Sequence, residues 1–123
     1  MTKSLEDYLE AIHRQISKTG SARVVDVANI LDVKMPSVNN AVKELAKLGL
    51  VKYERYREIQ ITEKGKQKAA AIYERHKLLK TFLLSIGVSE KNAETDACAM
   101  EHILSSETLG RLREITEERP DID

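Results

Sequence analysis

Between Val24 and Thr62 the chain changes its apolar rhythm, and that change confines the first half to one kind of architecture. Two short segments with helical spacing, about Val24 to Leu31 and about Pro36 to Leu48, flank the polar run Asp32-Val-Lys-Met35. Pro36 suits the first turn of a helix, where its missing N–H would have had no intrahelical acceptor. Gly49 closes the second segment, and Val51 to Thr62 then alternates with period two, as two short strands do. Two helices about a tight turn, followed by a hairpin, read as a helix-turn-helix with a β wing. The hairpin turn falls near Tyr56-Arg57 and lacks the Asn-Gly or Asp-Gly pair that would fix its register.

The rest of the chain reads as helix. Leu5, Leu9, Ile12 and Ile16 recur at helical spacing, predicting a helix over residues 4–18 with Ser4 as N-cap and Gly20 just beyond its end. A long helix is expected from about Glu63 to Ser85, amphipathic through Ala70, Tyr73, Leu78, Phe82 and Leu83, and two more over about Ser89 to Leu104 and Ser106 to Glu117. Arg119 to Asp123 is expected to fray. The fold class is therefore mainly α with a small β-wing: an N-terminal winged helix-turn-helix over residues 1–70, then a helical lobe over residues 71–123. With 123 residues and 41% hydrophobic content the chain can bury a core. No run approaches the roughly 20 apolar residues of a membrane helix, and the charged N-terminus does not resemble a signal peptide. A cytoplasmic protein with no membrane partner is expected.

The formal net charge of zero hides a division. Residues 1–87 carry 16 Lys/Arg against 10 Asp/Glu, and residues 88–123 carry 4 against 10. A basic first lobe suits a polyanion. In a winged helix-turn-helix the third helix enters the major groove of double-stranded DNA, and its early exposed residues meet base edges. Here those are Ser37, Asn39, Asn40 and Lys43, with Pro36 able to touch a thymine methyl. Arg55 and Arg57 on the wing, Arg23 and Lys47 are candidate phosphate contacts, which position without reading sequence. The inner face of that helix is expected to be Val38, Val42 and Leu45.

The second lobe carries Asp96-Ala-Cys-Ala-Met-Glu-His102, which sets a thiol, a carboxylate and an imidazole three and four residues apart. On a helix Cys98, Glu101 and His102 would share a face, as half of a transition-metal site. Cys98 is the only cysteine, so no intrachain disulfide can form. Further donors are His76 on the long helix and Asp7 with Glu10 on the first. Six donors rich in carboxylate and imidazole suit a first-row divalent ion with five or six ligands, whereas structural zinc would take more cysteines. His13 has no spaced partner and reads as surface. A metallohydrolase would leave the wing unexplained, and no general base stands outside the donor set. The alternative is a metal-independent winged-helix regulator using Cys98 as a redox thiol.

Asp7-Tyr-Leu-Glu10, the helix-turn-helix with Met35-Pro-Ser37, Tyr73-Glu-Arg-His76 and Asp96-Ala-Cys-Ala-Met-Glu-His102 occur in order from about residue 4 to residue 115. Together they resemble the metal-dependent repressors of the diphtheria toxin repressor and manganese transport regulator family. The resemblance implies a winged helix-turn-helix lobe, a helical dimerisation lobe, and a divalent ion between them that licenses operator binding. It implies Asp7, Glu10, His76, Cys98, Glu101 and His102 as ligands, holding one or two ions per subunit, and control of metal-uptake genes. The manganese branch typically has a glutamate where this chain has Cys98. The iron branch has cysteine there but methionine in place of Asp7. A thiolate is the softer donor, so Fe²⁺ is favoured, with Mn²⁺ the close alternative. A two-fold operator needs a homodimer, for which Ile103, Leu104, Leu109, Leu112 and Ile115 of the last helices are candidate contacts. The longer iron-type members continue into an SH3-like domain beyond the point where this sequence stops.

Overall fold

The computed structural model describes residues 1–54 and 57–117. In chain order its elements are α1 (Lys3–Thr19), α2 (Val24–Leu31), α3 (Met35–Lys47), β1 (Val51–Lys52), β2 (Gln60–Ile61), α4 (Glu63–Ser85), α5 (Glu90–Met100) and α6 (Ser106–Glu117). They form two compact units, Met1–Ala70 and Ala71–Asp123, and the division falls within α4. Among the described residues no helix is long and apolar enough to cross a membrane.

In the first unit α1, α2 and α3 pack on one another. Leu9, Ile12, Val27, Val38, Val42, Leu45 and Ile59 are fully buried there, including all three residues expected on the inner face of α3. The N-cap of α1 is Thr2 rather than Ser4: its Oγ1 accepts from the Leu5 N–H at 3.2 Å, so the helix starts earlier than expected. α2 begins with Asp26 accepting from the Arg23 N–H at 2.9 Å and ends on Asp32 at φ 53°, a left-handed geometry that aspartate tolerates. α3 ends in a Schellman motif, with Gly49 at φ 76° and the bonds Gly49 N to Ala46 O and Leu50 N to Leu45 O.

The wing is small. β1 and β2 pair antiparallel with Val51 opposite Ile61 and Lys52 opposite Gln60. Ile59 adds a bridge to Ala22, its N–H donating to the Ala22 carbonyl at 2.8 Å, which ties the wing to the segment before α2. The expected turn at Tyr56-Arg57 lies partly outside the described residues. Thr62 joins the end of α3 to the start of α4: its Oγ1 donates towards the Gly49 and Leu50 carbonyls and accepts from the Gly65 N–H.

In the second unit α4 and α5 supply a thin core of Ile72, Leu79, Leu83, Ala93 and Ala97, and no residue of α6 is fully buried. The apolar stripe of α4 is turned from the expected one. Ala69 and Ile72 are buried while Ala70 and Tyr73 are exposed, and Leu78 and Phe82 are half-buried. α4 stops at a left-handed Gly87, and α5 starts with Ser89 accepting from the Asn92 N–H at 3.3 Å. α5 ends at Met100, four residues before the expected Leu104, so Glu101 and His102 stand at and beyond its C-terminus. Of the candidate dimer contacts, Ile103 is 72% exposed and Ile115 also exposed, with Leu104, Leu109 and Leu112 half-buried.

Candidate metal centre and nucleic-acid interface

α4 presents His76 and α5 presents Glu94 and Cys98 one turn apart, with Glu101 following at its end. The small residues Ala93 and Ala97 are fully buried, which lets α5 approach closely. His76 is only 4% exposed and is contacted at both ring nitrogens. On one side Nδ1 lies 3.1 Å from Glu101 Oε2 and 3.7 Å from Cys98 Sγ. On the other Nε2 lies 3.1 Å from the Glu94 carboxylate. Glu101 is 2% exposed and reaches a second imidazole, its Oε1 lying 3.2 Å from His102 Nε2. One buried carboxylate therefore joins His76 and His102. A buried carboxyl needs polar partners, and an imidazole nitrogen lies beside each of its two oxygens.

Glu94 continues the chain of charges outward. Lys80 Nζ lies 3.1 Å from Glu94 Oε2 and 2.6 Å from Glu90 Oε1. The bond from Lys80, more than that with His76, holds the Glu94 carboxyl below its ordinary range, against partial burial. The bonds to Glu90 and then Glu94 raise Lys80.

The donor set fits a divalent transition ion. Single donor atoms of His76, Glu94 and Cys98 lie within 4.8 Å of one another, combining imidazole, carboxylate and thiol. Such mixed nitrogen, oxygen and sulfur sets suit ions such as Fe²⁺, Co²⁺ and Zn²⁺. The structure thus brings together four of the six residues read as ligands, His76, Cys98, Glu101 and His102. Asp7 and Glu10 stand on α1 in the first unit, both half-buried, with Glu10 paired to Arg14 at 3.1 Å. Glu94 is the residue that sequence reasoning missed. Its signal was the spacing Glu94, Cys98, Glu101, one helical face at i, i+4 and i+7.

The nucleic-acid candidates lie along α3, before α2 and on the wing. Pro36, Ser37, Asn40, Lys43 and Lys47 are exposed. A groove of about 680 Å³ is lined by Arg23, Val25, Met35, Asn39, Lys43, Tyr53 and Arg57 among others. Asn39 is half-buried, and its Oδ1 accepts from the Tyr53 hydroxyl at 3.3 Å, so it also braces the wing against α3. Lys47 pairs with Glu44 at 3.6 Å and Arg57 with Glu54 at 3.2 Å. Both pairs are solvent-exposed and weak enough to exchange for phosphate. Arg55 lies outside the described residues.

Residues 1–59 match the family model described as iron dependent repressor, N-terminal DNA binding domain. Residues 62–120 match iron dependent repressor, metal binding and dimerisation domain. The chain is 42% identical over 115 residues to an uncharacterized HTH-type transcriptional regulator of Methanocaldococcus jannaschii, covering 92% of each. It is 40% identical over 124 residues to the HTH-type transcriptional regulator MntR of Lysinibacillus sphaericus, covering 98% of this chain and 89% of that one. A solved structure of the metal-dependent transcriptional regulator MtsR superimposes with a TM-score of 0.81 at 26% identity, over 95% of this chain and 55% of that one. This chain thus spans about half the length of that protein. The match to a metal-binding domain sets aside the metal-independent alternative built on Cys98. Two matched domains in the same order, and relatives covered almost end to end, make this chain a member of the diphtheria toxin repressor and manganese transport regulator family of metal-dependent transcriptional repressors, which are not enzymes.

Proposed function

We propose that this repressor binds double-stranded operator DNA as a homodimer when Fe²⁺, or as the close alternative Mn²⁺, occupies a centre made by Asp7, Glu10, His76, Cys98, Glu101 and His102, and that it controls metal-uptake genes in the cytoplasm. The observation that carries this reading is Glu101, a buried carboxylate held between His76 and His102 with the Cys98 thiol beside the same His76 nitrogen. A bound divalent ion supplies the positive charge that lets carboxylates, imidazoles and a thiolate share one centre. Glu101 and the two imidazoles form the buried floor of that centre, and Cys98 supplies its soft donor. Asp7 and Glu10 supply hard oxygens, the feature that keeps Mn²⁺ close behind Fe²⁺. Occupancy selects the DNA-binding state of the repressor over its idle state. Selectivity of only tenfold shifts that choice by about 1.4 kcal/mol, so effective switching draws on more than one ligand contact or on a second ion.

Residues 1–70 are the reading domain. Ser37, Asn39, Asn40 and Lys43 face the bases with Pro36, while Arg23, Lys47, Arg55 and Arg57 neutralise phosphates. Residues 71–123 bind metal and dimerise through Ile103, Leu104, Leu109, Leu112 and Ile115, setting the two α3 helices about one DNA turn, roughly 34 Å, apart.

The test is anaerobic titration of metal-free protein with Fe²⁺ and Mn²⁺, followed by calorimetry and thermal unfolding. The expected result is saturable binding of one or two ions per subunit with Fe²⁺ tighter, weakened strongly in His102→Ala. Binding that is indifferent to His102→Ala would overturn the assignment.

A further inference from the structure

The two nitrogens of His76 face different chemistry. Nδ1 meets Glu101 and Cys98, two potential ligands, whereas Nε2 meets Glu94, whose carboxylate is already bonded to an ammonium. Lys80 is fixed in that position by a second and shorter contact, 2.6 Å to Glu90. A carboxylate bonded by an ammonium is a well-placed acceptor, so Glu94 can take a hydrogen from His76 Nε2 across 3.1 Å while Lys80 holds it there. Such an acceptor behind a histidine fixes which nitrogen is free to bind a metal. A divalent ion that recruited Glu94 as a ligand would have to break its bond to Lys80 and sit within a few ångströms of a positive charge.

We infer that Lys80 is a positioning and stoichiometry-determining residue of the metal centre: its ammonium holds Glu94 as the acceptor for His76 Nε2–H, so that the ion binds at Nδ1 beside Cys98 and Glu101, and it keeps a further divalent ion off the Nε2 side. Lys80 is in this sense a resident cation. The inference rests on the metal-binding reading above and goes beyond it, because it excludes Glu94 from the ligand set although a Glu94 oxygen lies within 4.8 Å of donor atoms of His76 and Cys98.

Full-length protein labelled with ¹⁵N-histidine and kept reduced is titrated with Zn²⁺, a diamagnetic probe, and the ring nitrogens are read by long-range ¹H–¹⁵N correlation. The three histidines are assigned with His13→Asn and His102→Asn variants. The expected spectrum shows His76 bound through Nδ1 with Nε2–H retained. In parallel, Co²⁺ binding is counted in the wild type, Lys80→Met and Lys80→Arg. Lys80→Met is expected to take one more ion per subunit than the wild type, and Lys80→Arg the same number as the wild type. Glu94→Gln keeps an acceptor and is expected to leave the count unchanged while weakening affinity by roughly 10-fold, the low end for an outer-shell partner. Metal on Nε2 in the wild type would overturn the inference, as would an unchanged ion count in a folded Lys80→Met. If Lys80→Met fails to fold, the wild-type spectrum still decides. Absence of specific binding in every variant, the wild type included, would instead overturn the metal-binding reading itself and the inference with it.

Discussion

Replacing Gly65 by alanine sets two effects of opposite sign against each other at the junction of wing and α4. Alanine is the better helix former by about 1 kcal/mol, so propensity alone says the variant gains stability. The structure says otherwise. A Cβ at Gly65 would lie 2.0 Å from the Leu50 carbonyl oxygen and 2.8 Å from Ile61 Cγ1. Carbon–oxygen contacts normally stop at about 3.3 Å, so the carbonyl must retreat by roughly an ångström. That oxygen accepts from the Thr62 N–H at 3.1 Å and the Thr62 hydroxyl at 3.0 Å. Losing both bonds costs about 1–3 kcal/mol, and the displaced backbone adds about 1–3 kcal/mol of overpacking. After the helix-propensity gain, a net destabilisation of roughly 3 kcal/mol remains. For a chain of this size that lowers Tm by about 10 °C. Urea unfolding of the metal-free protein followed by circular dichroism measures it, with the slope m unchanged. Gly110→Ala is the control, since a Cβ there meets nothing within 4 Å, and it is expected to gain up to about 1 kcal/mol. Equal or higher stability in Gly65→Ala would refute the reasoning, because it would mean that the carbonyl yields at no cost.

Three further outcomes are expected. Glu101→Ala removes the carboxylate shared by two imidazoles, so the stabilisation of about 2.7 kcal/mol that metal at 100 times Kd gives the wild type should vanish from its thermal unfolding; an undiminished metal-induced rise in Tm would count against Glu101 as a ligand. Cys98→Glu exchanges a soft donor for a hard one and should raise the affinity for Mn²⁺ relative to Fe²⁺, which competitive titration reads; an unaltered ranking rejects the role given to the thiol. The carboxyl of Glu94 is held below the ordinary 4.5, so its pairing stabilises the fold above that value and is lost as pH falls through the depressed one. The stability difference between wild type and Lys80→Met should therefore be present at neutral pH and narrow below about pH 4.5, as denaturant midpoints across pH would record.

Much of the fold could be read from residues whose local chemistry admits one answer. Gly49, Pro36 and the period-two run after Val51 each punctuate the chain, and α2 and α4 take the expected bounds, Val24–Leu31 and Glu63–Ser85. The misplaced features lack such markers. Thr2 and Ser4 are both good caps, and only the backbone path decides that Thr2 reaches the Leu5 N–H. Nothing in Met100-Glu-His-Ile announces the end of α5, because each residue is a tolerable helix former. On α4, alanine and tyrosine fit either side of a helix, so the buried stripe was read through Ala70 and Tyr73 instead of Ala69 and Ile72. In the site, four of the six proposed donors are legible as a cluster because three of them share one short motif. Glu94 was passed over because an acidic residue on an acidic lobe looks like a solvated face until His76 and Lys80 are seen beside it.

The donors of this centre differ in how firmly the fold holds them. Glu101 and His76 are packed into the protein, and replacing either one disturbs a buried network. Cys98 is exposed although its Sγ lies 3.7 Å from His76, so a substitution there disturbs the core less than one at either buried residue. The proposed ligand expected to weigh most on metal preference is thus among those with the least structural commitment. A single codon change there can retune the response to a different ion at little cost in stability, so that selection on metal supply acts on one position while the scaffold stays the same.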